Sequence, residues 1–150
     1  MHSPAAVPTH LVTGTRWHAS TIGPMTSPTS DSDRYHAHGK GVQEELAPLG
    51  RDLRRAIPEV YAAFGQLHSA ALAPGVLDAK TKELIALALS VSSQCDGCIA
   101  SHARGAARHG ATEAEVTEAL GVVMLMAGGP ATVYGPRALA SFRSFAPPAE

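Results

Sequence analysis

From Gln43 onward, apolar positions recur at intervals of three and four, whereas no apolar period precedes it. Leu46, Leu49 and Leu53 predict a first short helix, interrupted or bent near Pro48. Pro58 suits the first turn of a second helix, with Val60, Tyr61, Phe64 and Leu67 expected in the core and His68 at its end as a surface or capping residue. Ala73-Pro74-Gly75 reads as a turn. Asp78 is placed to cap a helix running to about Ser92. Its apolar residues, Leu84, Ile85, Leu87, Ala88, Leu89 and Val91, cover most of the circumference, which predicts burial. The pattern breaks between Gln94 and Gly97, resumes in a helix that Gly110 ends, and resumes again after a capping box made by Thr112 and Glu115. That helix carries Val116, Leu120 and Val123 and stops at Gly128-Gly129. A last helix over about residues 131–145 carries a kink at Pro136. No stretch alternates as a strand does, so the fold class is all-α, a bundle of about five or six helices.

Residues 1–40 are rich in Pro, Thr, Ser, His and Gly and are expected to be a flexible tail that the domain, residues 41–150, does not need. Met25 offers a second start within the tail. The five histidines scattered through it, His2, His10, His18, His36 and His38, read as solvated side chains rather than a metal site. Apolar residues make up 45% of the chain and aromatic ones 5%, which favours helices packed through small aliphatic side chains. With 12 basic and 13 acidic residues the net charge is -1, leaving no footprint for nucleic acid. No segment is long and apolar enough to span a bilayer, and no basic segment followed by an apolar core marks secretion. Only two cysteines occur, both in one motif, which reads as a cytoplasmic dithiol and not as a secreted disulfide framework.

Chemistry concentrates between Glu83 and His102. Cys95 and Cys98 are spaced Cys-x-x-Cys, His102 follows four residues later, and Glu83 stands twelve residues before Cys95, with no charge over residues 84–95. On one helix, at about 100° per residue, His102 falls in azimuth between the two cysteines, one turn beyond Cys98 and two beyond Cys95. Cysteines three apart at a helix start can join in a disulfide. The unpaired N–H groups there favour a thiolate at Cys95, whereas the adjacent imidazole favours Cys98 as the thiol that loses its proton.

Glu83, Cys95, Cys98 and His102, in this order and spacing, resemble the signature of the alkylhydroperoxidase D-like (AhpD-like) family within the carboxymuconolactone decarboxylase superfamily, and the resemblance extends over about residues 57–143. Some members carry a further histidine between the cysteines; here that interval is Asp96-Gly97, a departure from any relay through it. The resemblance implies a peroxidase. Cys98 would attack the hydroperoxide and Cys95 would resolve the sulfenic acid, with His102 and Glu83 as proton relay. It implies no cofactor and no bound metal. It also implies a dithiol electron donor of lipoyl or thioredoxin type and a homo-oligomer, trimeric or hexameric. Other readings remain. A Zn site would draw on Cys95, Cys98, His102 and His109; Cys95 and His109 stand about 21 Å apart along a helix, too far to share one ion, which leaves a weaker site of three of these ligands plus water. A decarboxylase of muconolactone-like acids would share the fold without using the dithiol, and a non-catalytic helical oligomer would carry a vestigial motif.

Overall fold

The computed structural model describes residues 38–147, and among them every regular element is an α-helix. The helices are α1 (Lys40–Ala56), α2 (Pro58–Leu72), α3 (Ala79–Ser92), α4 (Asp96–Arg108), α5 (Glu113–Ala127) and α6 (Gly129–Phe145). Of the expected tail, residues 1–37 lie outside the described residues.

Local chemistry sets most of the boundaries. The Asp78 carboxylate accepts the Thr81 N–H at 2.7 Å and opens α3. Thr112 and Glu115 cap each other reciprocally at the start of α5, and Lys80 reaches across from α3 to the same Glu115 carboxylate at 2.6 Å. Gly110 and Gly128 take positive φ angles where α4 and α5 end. Neither proline stops its helix. α1 runs through Pro48 and α6 through Pro136, so the expected break or bend at Pro48 does not divide α1. Both prolines are exposed, as are Glu44 and Thr132 one turn before them, so water can bond the carbonyls that the missing N–H groups leave free.

The core lies between α3, α4, α5 and α6. Leu87 and Val91 meet Ile99, Ala103 and Ala106, then Val116, Leu120 and Val123, and finally Ala131, Ala138 and Phe142. Helix α4 is central, packed by α3 on one side and α6 on another, with α1 alongside. Its buried alanines, Ala100, Ala103 and Ala106, let these neighbours come close. α1 is tied on by polar contacts. The Gly39 N–H donates to Ser141 Oγ at 3.1 Å, and Gln43 Nε2 donates to the Ala100 carbonyl at 3.2 Å. Gly39 has φ 53°, and a Cβ there would overlap Ser144, so only glycine seats α1 this closely on α6.

α2 departs from expectation. Val60, Phe64 and Leu67, read as core, are 62%, 63% and 64% exposed, and α2 buries no residue at all. Ile85 and Leu89 of α3, also expected inside, are exposed too. Periodicity marks an apolar face correctly, but it does not say whether the same chain covers that face.

Candidate active site

The α3–α4 connection brings the chemistry together. Gln94, at φ 55°, takes a left-handed conformation that turns the chain sharply, and the Cys95 N–H donates to the Ser90 carbonyl at 3.1 Å. Cys95 thereby becomes the N-cap of α4. Its sulfur accepts the Cys98 N–H at 3.2 Å, the position a serine or aspartate oxygen usually fills. Cys95 and Cys98 are joined in a disulfide. Cys95 is half-buried and Cys98 exposed, so the second sulfur is the one that solvent meets. Asp96, in the first turn of α4, is held by Arg137 of α6 at 3.2 Å, and the Arg137 guanidinium also lies 4.8 Å over the Tyr134 ring. The start of α4 is thus braced against α6.

His102 lies one turn beyond Cys98. Side chains on a helix tilt toward its N-terminus, which directs the imidazole back toward the dithiol turn. Its Nδ1 is 2.8 Å from the Glu83 carboxylate. Glu83 is 6% exposed. Its partner is the histidine and not a lysine or arginine at the surface. A buried carboxylate without a partner is costly, so the His102 bond both satisfies Glu83 and fixes the imidazole. With Nδ1 donating to the carboxylate, Nε2 is the nitrogen left for chemistry.

Two residues outside the sequence motif complete the arrangement. A Cβ at Gly105, one turn after His102, would overlap the Glu83 carboxyl group, so the bare α4 backbone is what admits Glu83 to His102. A glycine inside an otherwise regular helix is the sequence signal that points to it. His68, read as a surface or capping residue, is indeed exposed, yet its ring stacks on His102 with centroids 5.9 Å apart and planes 19° off parallel. Nothing in local sequence could pair two histidines from α2 and α4. His109 caps the far end of α4 and is exposed, away from the dithiol. Among the described residues no group of three or more His, Cys, Asp or Glu side chains is arranged to hold a metal ion, and no helix is long and apolar enough to cross a membrane.

The comparisons agree on the fold around this site. A crystal structure of a carboxymuconolactone decarboxylase family protein from Legionella pneumophila superposes with a TM-score of 0.68 at 39% identity, covering 71% of this chain and 95% of that one. A Thermotoga maritima protein of the same family, whose suggested role is in the antioxidative response, superposes at 0.53 with 34% identity, over 56% of this chain and 87% of that one. In sequence, an uncharacterised protein of Cupriavidus necator is 42% identical over 101 residues, covering 67% of this chain and 86% of the relative. The model of the carboxymuconolactone decarboxylase family matches residues 58–141, more than half of the chain and all of α2 to α5. The AhpD-like resemblance of the motif fits within that superfamily, and the chain belongs to the carboxymuconolactone decarboxylase family.

Proposed function

We propose that this protein is a thiol-dependent peroxidase that cycles Cys95 and Cys98 between dithiol and disulfide. The observation that carries the reading is the Glu83–His102 hydrogen bond, one turn from a cysteine pair already joined as a disulfide. The antioxidative role suggested for the Thermotoga relative points the same way.

In the reduced protein His102 Nε2 takes the Cys98 proton while Glu83 stabilises the imidazolium through Nδ1. The Cys98 thiolate attacks the distal oxygen of a hydroperoxide. An S–O bond forms, the O–O bond breaks, and the departing alkoxide takes the proton from His102 to leave as alcohol. Cys98 is now a sulfenic acid. Cys95, as thiolate, then attacks that sulfur: the S–S bond forms, and the hydroxide leaves with a proton as water. An external dithiol restores both thiols by exchange, becoming a disulfide itself. Supply of such dithiols suits a reducing compartment such as the cytoplasm.

The roles of the two cysteines follow from access as well as from the base. Cys95 gains thiolate character from the helix start and from the N–H aimed at its sulfur, which suits attack on a neighbouring sulfenic acid. Exposed Cys98 is the sulfur a peroxide reaches first. We also propose that copies of this chain associate as a trimer or hexamer through the uncovered apolar face of α2 at Val60 and Leu67 and that of α5 at Val122, Leu125 and Met126. Light scattering on the purified protein should give a multiple of the subunit mass; a monomer at micromolar concentration sinks that part.

Peroxide consumption measured with dithiothreitol, dihydrolipoamide and reduced thioredoxin tests the enzyme directly. Sustained turnover with at least one donor is expected, lost in both Cys98→Ser and Cys95→Ser. Consumption no faster than in protein-free buffer with every donor contradicts the proposal.

A further inference from the structure

Beside the His68–His102 stack lies a cavity of about 650 Å³, bounded by Arg54 of α1, by Pro58, Tyr61, Phe64 and His68 of α2, and by Ser101 of α4. Its position relative to Cys98 follows from the helix. Ser101 lies roughly 60° to one side of the Cys98 azimuth and His102 roughly 40° to the other, both about one turn further on. A cavity walled by Ser101 and by the histidine that covers His102 therefore opens on the face of α4 that carries Cys98.

Its chemistry is lopsided. One wall is aromatic and aliphatic, and no carboxylate lines it. The cation is Arg54, whose guanidinium stacks 5.3 Å over Tyr61. Stacking leaves the edge of the guanidinium, with its N–H groups, facing outward. Among the described residues Arg54 pairs with no carboxylate, whereas neighbouring Arg55 lies near Asp52 at 3.7 Å. A second, smaller cavity continues from Arg54 and Ser101 along α1, and it adds Arg51 on the same side. The face of α2 that carries Val60 and Leu67 is turned roughly 100° or more from the cavity's centre, so association through that face leaves the cavity open.

We infer that this cavity holds the organic part of the substrate, and that the substrate class is a hydroperoxide with an apolar body and a carboxylate, the carboxylate bound by Arg54. The inference rests on the peroxidase reading and narrows it. An apolar wall beside a cation, opening on the face of α4 that carries Cys98, selects a molecule with an anionic group at one end and the O–O bond away from it. Hydrogen peroxide would use none of these contacts.

Calorimetry with the full chain, using a hydroxydecanoic acid and its methyl ester as unreactive stand-ins, measures the binding. Kinetics with the corresponding hydroperoxide acid and ester are read alongside. The acid should bind about tenfold more tightly than the ester, the size of one charge-assisted hydrogen bond at a partly exposed site. That ratio should shrink as salt is raised. Arg54→Gln should bring it to one, Arg54→Lys should restore part of it, and Arg108→Gln, which removes the same charge from the last turn of α4, should leave it intact. Equal binding of acid and ester, or a preference that survives Arg54→Gln, overturns the inference. Turnover of both hydroperoxides with equal kcat/KM and equal binding does so too, while leaving the peroxidase reading in place. A preference for the acid that depends on Arg54, with neither hydroperoxide turned over, supports the site and sinks the peroxidase reading instead.

Discussion

Helix α2 carries more apolar residues than α4, and the two face each other across the candidate site, yet α4 buries Ile99, Ala100, Ala103 and Ala106 while α2 buries nothing. α4 is rich in alanine, and its small side chains let α3 and α6 close around it. α2 carries Val60, Phe64 and Leu67, larger side chains that meet little of the described chain. The difference assigns separate tasks. The rigid half holds the groups whose geometry must be fixed, namely Glu83, His102 and the dithiol turn. The loosely packed layer of α1 and α2 supplies the groups that would face a ligand, His68 and Arg54. Sites divided this way keep catalytic geometry precise while the recognising wall stays adaptable.

The largest effect should separate the two halves by stability. Phe142, 2% exposed, closes the core at α6; Phe142→Ala should lower the unfolding free energy by about 3–5 kcal/mol in chemical denaturation. Leu67→Ala in α2 should change it by less than about 0.5 kcal/mol in dilute solution. If α2 is covered by another copy, the wild type should gain stability as protein concentration rises, and Leu67→Ala should weaken that dependence. Equal losses at both positions in dilute solution break the comparison.

Next come changes that strike one carboxylate from two directions. Gly105→Ala places a methyl group where the Glu83 carboxyl sits, and should cost about 1–3 kcal/mol together with most of the activity. Glu83→Gln keeps the shape but removes the charge that supports an imidazolium. Its helical circular dichroism should persist, with peroxide reduction slowed by about tenfold or more. Wild-type activity in Glu83→Gln at neutral pH would remove the residue from the mechanism. His68→Ala, altered from the loose side, should leave the melting temperature within a degree or so and reduce the rate only a few-fold. His68→Phe, which can still stack on His102, should recover most of that rate; no recovery would mean that the imidazole itself, and not its packing, matters.

Much of this site was legible in the sequence because its signals are local. The Asp78 cap, the Thr112–Glu115 box and the Cys-x-x-Cys-x-x-x-His spacing each depend on residues within a turn or so, and the structure contains all of them. Contacts between helices were not legible. The pairing of Glu83 with His102 was expected only from the family resemblance, and the burial of Glu83, the room that Gly105 makes for it and the stacking of His68 depend on how three helices cross, which no local period encodes. The misplacement of Val60, Phe64 and Leu67 has the same origin: an apolar stripe predicts that something covers it, not what.

A smaller effect should appear on acidification, mostly in the packed half. The Glu115 carboxyl is held below its ordinary value of 4.5 chiefly by the Lys80 ammonium and then by the Thr112 N–H, and Glu113 is held below it by Arg143. The backbone N–H of Thr81 lowers Asp78 in the same way. Unfolding releases these carboxyls to their ordinary, higher values, so the unfolded chain binds more protons as pH falls. Their contribution is complete above about pH 4.5 and is lost as pH drops toward the lower folded-state values. The melting temperature should therefore decline below that point, and Glu115→Gln should flatten the decline. A curve with the same slope in that variant would show that other groups govern the acid limb.

The central claim, that Cys98 meets the peroxide and Cys95 resolves it beside the His102–Glu83 pair, is tested most directly by trapping the first intermediate. Each single-serine variant is reduced, freed of reductant and of metal, given one equivalent of hydroperoxide, and treated with a sulfenic-acid probe before mass spectrometry. The account predicts that Cys95→Ser gains the probe on Cys98 at about one label per subunit. Cys98→Ser should stay unlabelled, and the wild type should gain no label because its two sulfurs have joined. Labelling of Cys95 in Cys98→Ser, with Cys95→Ser unreactive, would contradict the claim and make the sulfur at the helix start the nucleophile.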